Sequence, residues 1–251
     1  MHQSGVTSNS LADRRTVAIQ LLVSSAAIPW YVNADLIAPG CIVDPHFLKM
    51  RTTLEQRFKA ELSDWDGFLE LFHLQFLDYG EHWVRSGERR DEFFFISEGL
   101  LRTYYVDQDG TEVNEGFYDA GMLLGPISCF ISGSPCLYYI QAIEPCILVA
   151  VNYHQFHRYA QDKPAILNFE ITFMQSLFVS NAKRDAKRLI NNGEQRYRWF
   201  CREYAHLLER IPQYHIASFL GLTPVSLSRL RRQIGNPTQK SARSPSPGKY
   251  Q

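Results

Sequence analysis

The stretch EFFFISEGLLRTYYV, residues 92–106, carries aromatic and aliphatic side chains on both sides of Glu98-Gly99. Apolar runs of this length and composition, bounded by turn residues, form strands. The stretch therefore reads as two strands that meet at or near a turn at Glu98-Gly99. Directly downstream, DQDGTE (107–112) reads as a hairpin loop of four to five residues, with Asp109-Gly110 supplying the positive φ. NEGFYDAG ends at Gly121, another break, and YYIQAI and CILVAV add further short strands. Short strands in quick succession with glycine-rich turns predict an antiparallel roll or barrel rather than βαβ units. A short amphipathic helix around LEQRFKAELSDWDGFLELF precedes them. No G-x-G-x-x-G follows a strand and no G-x-x-x-x-G-K-[ST] occurs, so nucleotide folds of those kinds lack support.

The 251 residues suffice for one large domain or two ordinary ones, and their formal net charge is zero. That zero conceals an asymmetry. From Lys183 to the end there are 14 Lys+Arg against 4 Asp+Glu, a net +10, which leaves −10 on residues 1–182. A basic C-terminal third is an electrostatic footprint for a polyanion; a solvated basic face is the other reading. The cysteines are Cys41, Cys129, Cys136, Cys146 and Cys201, with no C-x-x-C pair and an odd total. They suit neither a zinc site, an iron–sulfur cluster nor a secreted disulfide scaffold, and read as idle thiols in a reducing cytoplasm. His154 and His157 in HQFH could face one metal by spacing, but without an acidic or cysteine partner at ligand spacing they read as helix-surface histidines. No metal or cofactor is expected.

Residues 1–49 differ from the rest. Arg14 and Arg15 precede VAIQLLVSSAAIPW, which resembles a weak, even twin-arginine, signal peptide and is too short to span a bilayer. The preferred reading is an extension outside the fold, upstream of a natural start at Met50.

Between Pro164 and Gly193 there is neither proline nor glycine, which predicts a long helix over 161–192. Leu167, Ile171, Met174 and Phe178 are spaced 4, 3, 4, an a/d stripe. Ile166, Phe169, Phe173 and Leu177 broaden it, so the helix can pack on its own roll and on a partner helix; Asn181 continues the stripe as a polar step. A core helix of a single domain fits the same spacing.

Residues 193–235 read as a helical reader. Gly193 marks a break, and RYRWFCREYAHLLER places Trp199, Phe200, Tyr204 and Leu207 or Leu208 inward. Pro212 suits the first turn of the next helix, which runs through Ile216, Phe219 and Leu220 to Gly221, a C′ glycine, with Leu222 in the corner. Thr223 caps a new helix with Pro224 at N1, and Leu227, Leu230 and Ile234 form its buried stripe. Two short helices joined by a three- or four-residue turn with glycine are the helix-turn-helix signature. Val225, Ser226, Ser228 and Arg229 then lie outward where a recognition helix meets base edges. Arg229 is the candidate for a bidentate contact to guanine, and Val225 for a thymine methyl. Gln213, Thr223, Arg231 and Arg232 suit phosphate contacts. The tail 236–251, rich in Pro, Ser and Lys, reads as disordered, with charge that adds non-specific DNA affinity.

The order short helix, hairpins, F-x-x-x-G (Phe95 to Gly99), a D-G hairpin, a glycine-led loop and two closing strands resembles the effector domain of the Crp/Fnr regulators, over roughly residues 60–155. IASFLGLTPVSLSRLRR, 216–232, resembles that family's helix-turn-helix, in the branch common in Bacteroidetes-type genomes. The resemblance implies an α+β fold: an antiparallel jelly-roll of the cyclic-nucleotide-binding kind over 50–160, a dimerisation helix over 161–192 and a DNA-binding domain over 193–235. It also adds Pro224 to the base-contacting positions. Family members that bind cyclic nucleotides carry Gly-Glu at the start of a phosphate cassette and an Arg about ten residues later. In GPISCFISGSPCLYYIQA, registering Ala142 on the family's alanine puts Gly125 on the glycine, Pro126 on the Glu and Cys136 on the Arg. Proline and cysteine supply neither carboxylate acceptor nor cation, so tight cyclic AMP binding is not expected. Gly125, Pro126, Ser128 and Cys136 instead mark a small, weakly polar effector pocket.

The leading expectation is thus a cytoplasmic, homodimeric DNA-binding transcription regulator answering an unidentified small-molecule effector, with double-stranded DNA and RNA polymerase as partners and no membrane association. A small-molecule sensor that acts through protein partners is the second reading. An enzyme is not expected: there is no paired His-x-His with a carboxylate as in a cupin, and no Ser/His/Asp order stands out.

Overall fold

The structure, a computed structural model, describes residues 44–58 and 64–234. Helix α1, Pro45–Phe58, and short α2, Trp65–Leu69, lead into the strands. These are β1 (His73–Leu77), β2 (His82–Val84), β3 (Glu92–Glu98), β4 (Leu100–Val106), β5 (Glu112–Asp119) and β6 (Leu123–Leu124). Helix α3 (Ile127–Ser132) separates them from β7 (Tyr139–Ala142) and β8 (Cys146–Asn152). Helices α4 (Tyr153–Ala160), α5 (Pro164–Ile190), α6 (Gly193–Glu203), α7 (Gln213–Phe219) and α8 (Pro224–Ile234) complete the chain.

The strands form two antiparallel four-stranded sheets, ordered β1-β8-β3-β6 and β2-β7-β4-β5. The expected break at Glu98-Gly99 is present, but β3 and β4 are not a hairpin pair: the chain passes there from one sheet to the other. The hairpin lies one step on, where β4 pairs β5 from Leu100↔Asp119 to Val106↔Glu112.

Alternation along β3 explains why EFFFISE is apolar almost throughout. Phe93 and Phe95 pack under Met50, Leu54, Phe68, Phe156, Phe169 and Phe173 on the helical side. Phe94 and Ile96 enter the space between the sheets with Trp83, Leu101, Ile140 and Leu148. Antiparallel sheets usually leave one face to water; here both faces are covered, so the polar half of the pattern is lost. The second sheet is covered too. Leu100, Phe117 and Ile143 on its outer face share a core with Phe200, Leu207, Ile216, Phe219 and Leu227 of the C-terminal helices.

Two boundaries move. The expected extension 1–49 overlaps the fold, because α1 starts at Pro45. Asp44 accepts from the backbone N–H of His46, and its carbonyl from those of Phe47 and Leu48. Lys49 donates to the Ser97 carbonyl at 2.5 Å, and Met50 is fully buried. Asp followed by Pro is a helix-start signature, and it stood in the sequence at 44–45. The single helix expected around 54–72 is instead the end of α1 and, after residues 59–63, α2 capped by Asp64 on Gly67. Residues 1–43, with the signal-like run, and the tail from 235 on lie outside the described residues. No helix among the described residues is long and apolar enough to cross a membrane.

Candidate nucleic-acid interface and sensor loop

Helix α7 ends at Phe219, and Gly221, two residues on, has a φ of 63°, the left-handed conformation that a turn after a helix requires and glycine adopts without strain. The backbone N–H of Leu222 bonds back to the Ala217 carbonyl. Thr223 then caps α8: its hydroxyl oxygen accepts from Ser226 N–H at 3.1 Å and lies 2.9 Å from the Ser226 hydroxyl. Leu227 is buried, and Leu230 and Ile234 pack beside it, so the predicted inward stripe is the observed one.

The outward face is the remainder. Pro224, Val225, Ser226, Ser228 and Arg229 are all exposed, as are Gln213, Thr223 and Arg232. Among the described residues, no carboxylate pairs with Arg229 or Arg232, and their charges are open to an incoming polyanion. Arg231 is different. It is half-buried and lies beside Tyr197 of α6. Elsewhere the basic third is partly spent on the acidic roll, through Arg184 on Glu115 and Arg210 on Glu144 at 2.5 Å.

Behind the reader lies a buried polar cluster that sequence reasoning missed. Arg102, 3% exposed, donates to Gln141 Oε1 from Nε (2.8 Å) and Nη2 (2.6 Å), and its Nη1 reaches Asn114 Oδ1 at 3.0 Å and Glu112 at 2.6 Å. The same Nη1 lies 3.1 Å from His215 Nδ1, which also faces Asn114 Nδ2 at 3.2 Å. A guanidinium has no acceptor, so His215 Nδ1 must accept and the ring must be neutral. Burial first, and the Arg102 charge second, pull the His215 pKa down to about 4. Ser218 of α7 completes the joint: its hydroxyl accepts from Asn114 N–H (3.0 Å) and donates to the Glu112 carbonyl (2.8 Å). Since β5 is an edge strand, α7 satisfies backbone groups that would otherwise stand unpaired.

The expected effector pocket is not assembled. Gly125, Pro126 and Cys136 are buried, whereas Ser128 is exposed on α3, a helix where the sequence predicts a loop. A Cβ on Gly125 would sit 2.6 Å from Phe93 Cβ and 2.9 Å from Phe93 Cα, so this glycine serves close packing on β3. Cys136 bonds to the Tyr138 carbonyl, and burial pushes its thiol up to about 12. Cys129 packs with it in the inter-sheet core, and Tyr138 donates to the Gly125 carbonyl at 3.2 Å. Apolar packing therefore occupies the positions expected to line a pocket.

The long helix α5 spans 27 residues, about 40 Å. Ile166, Phe169 and Phe173 are buried against the roll, with Leu167 and Met174 half-buried beside them. Of the expected seam, Ile171 (55% exposed) and Phe178 (76%) are uncovered. Asn181, the polar step, accepts from Arg184 at 2.6 Å. No group of three or more His, Cys, Asp or Glu side chains that could hold a metal occurs among the described residues. The fold does supply an acid the local sequence lacked: both Glu170 oxygens lie 3.1 Å from His157 Nδ1.

The family model described as the cyclic nucleotide-binding domain matches residues 74–163. A cAMP-activated global transcriptional regulator CRP from Pasteurella multocida is 25% identical over 84 residues, 34% of this chain and 40% of that protein. The match thus spans about two fifths of that relative's length. Electron transport regulator A of Shewanella oneidensis is 25% identical over 236 residues, 87% of this chain and 89% of its own. Among solved structures, FixK2 from Bradyrhizobium japonicum aligns with a TM-score of 0.58 at 17% identity, covering 67% of this chain and 86% of that one. That likeness is one of fold.

Proposed function

We propose, from its likeness to the Crp/Fnr regulators, that the chain is a homodimeric, cytoplasmic DNA-binding transcription regulator of that family. One observation carries the reading. A Thr-Pro-capped helix presents Val225, Ser226, Ser228 and Arg229 outward from a glycine turn, and among the described residues no carboxylate pairs with its outward arginines. Such a face is built to enter a major groove, Arg229 reading a guanine edge, with Val225 and the serines beside it and Pro224 at the helix start. Gln213, Thr223 and Arg232 are placed for backbone phosphates. A second copy docks along Ile171, Met174 and Phe178 of α5, and a twofold pair of readers calls for half-sites about one helical turn apart.

The signal is not cyclic AMP. Pro126 and Cys136 stand where the carboxylate and cation would be, and both are buried. Another small molecule acts on the roll, and RNA polymerase is the further partner of a regulator of this kind. Selection of bound duplexes from a random DNA pool tests the proposal. Enrichment of a two-fold symmetric site, bound less tightly as salt rises, is the expected result. No enrichment over the input pool, with or without cell extract, sinks it and leaves a sensor that works through protein partners.

A further inference from the structure

The β4–β5 hairpin grips two different parts of the molecule through adjacent residues. Its register runs Thr103↔Gly116 and then Tyr104↔Asn114, so Glu115 is an extra residue with no partner, a β-bulge. In a regular strand Asn114 and Phe117, three apart, would face opposite ways. The bulge puts both on the face covered by the reader, where Asn114 meets His215 and Phe117 meets Phe200 and Phe219.

It also turns Glu115 to the other side. There its Oε2 accepts from Thr103 Oγ1 at 2.6 Å and from Tyr118 Oη at 3.3 Å, while Oε1 takes the Arg184 guanidinium of α5. The paired strand repeats the division. Arg102 holds the reader's His215, and its neighbour Thr103 holds Glu115.

We propose that this bulged hairpin is the mechanical coupling between α5 and the helix-turn-helix, Glu115 holding the first and Asn114 with Arg102 holding the second. A shift of α5 that draws Arg184 away leaves the Glu115 carboxylate short of its cation. The carboxylate must then re-aim, and the bulge is the local backbone free to yield. The next residue carries the His215 bond and the backbone N–H held by Ser218, so the seat of α7 changes with it. What the coupling is for rests on the regulator reading; the coupling itself does not.

Hydrogen exchange on the full-length protein tests it without DNA or effector. Glu115→Gln cuts the α5 grip with no contact of its own to α7 and carries the test; Arg184→Met cuts the same grip but also removes an interaction with Tyr204, whose ring packs on Phe219 of α7. Exchange in α7, Gln213–Phe219, is compared with that in β8, Cys146–Asn152, as the internal reference. We expect α7 to exchange about two- to thirty-fold faster relative to β8, the range of coupling through such networks. An α7 to β8 ratio unchanged from wild type, whether neither or both accelerate, overturns the proposal. Where Arg184→Met does not fold, Arg184→Lys and Glu115→Asp are scored by the same ratio. A chain that shows the altered ratio but selects no DNA keeps the coupling and loses the regulator reading, and the reverse result separates them equally.

Discussion

Asn114 and Glu115 are consecutive residues of β5 that hold different partners, His215 of the reader and Arg184 of the long helix. The reader is therefore not tethered loosely to the roll. Its first helix closes a sheet edge, and its core is continuous with Leu100, Phe117 and Ile143 of the outer sheet. Where α8 points is consequently decided by the roll, which is what a sensor needs if its state is to reach DNA.

Stability should depend on pH through His215. Its folded pKa is held near 4 against an ordinary value of 6.5, because a charged ring would sit buried beside Arg102. The unfolded chain therefore binds the extra proton between these values and the folded one does not. Stability is full above about pH 6.5, falls as pH drops toward 4, and levels off below. The shift is worth about 3 kcal/mol at most. Urea unfolding across this range checks it, with His215→Asn as control: a variant with the same pH slope as wild type refutes the assignment.

Arg229→Ala should weaken binding to the selected duplex by about 1–3 kcal/mol, five- to 150-fold, and relax preference at one base pair. Arg232→Ala should instead weaken all duplexes alike and lower the salt slope by about one. Fluorescence anisotropy over a salt series separates the two. Identical behaviour of both variants would remove Arg229 from the base-reading role.

The reader was legible in sequence because its signals are local. Gly221, Thr223, Pro224 and Leu227 each act within one turn of the chain, by φ, cap, ring and spacing. The strands were legible for the same reason. The roll-to-reader joint was not: Arg102 and His215 lie 113 residues apart, and no periodicity announces that an arginine amid LLRTYY is a buried polar hub. The Glu115 bulge was equally hidden, since NEGFYD gives no sign of which residue loses its partner. The role of Gly125 was hidden too, since its lack of a side chain serves the approach to Phe93 of β3.

Two phenylalanines five residues apart on α5 should behave oppositely. Phe173 is 2% exposed in the roll core and Phe178 is 76% exposed. Phe178→Asp should raise the dimer dissociation constant about thirty-fold or more, as loss of an interface anchor does, while the monomer keeps its fold. Phe173→Asp should unfold the roll by burying an unpaired charge. Sedimentation and circular dichroism read both. An unaltered dimer in Phe178→Asp would place the interface elsewhere.

Gly125→Ala should destabilise the protein by about 1–3 kcal/mol, because the new methyl meets the Phe93 backbone and Cβ rather than open space. The measurement is the urea midpoint. A phosphate-cradling glycine with room around it would tolerate alanine at a few tenths of that cost, so a neutral result would restore the cradle reading.

Cyclic AMP should leave the melting temperature unchanged. A ligand present at about a thousand times its dissociation constant stabilises the folded state by about 4 kcal/mol, an effect no melt would miss. Tight binding needs a cation against the cyclic phosphate and an acceptor for the ribose hydroxyl. Cys136 gives no cation: it is 1% exposed, its thiol bonds the Tyr138 carbonyl, and burial pushes it up to about 12, which keeps it protonated and neutral at ordinary pH. Pro126 gives no acceptor side chain at all. Any nucleotide entering there would have to displace Cys129, Cys136 and Tyr138 from the inter-sheet core and leave its phosphate without a partner. A rise in melting temperature with millimolar cyclic AMP, absent with the same concentration of inorganic phosphate, would show that the roll opens where it is now packed shut.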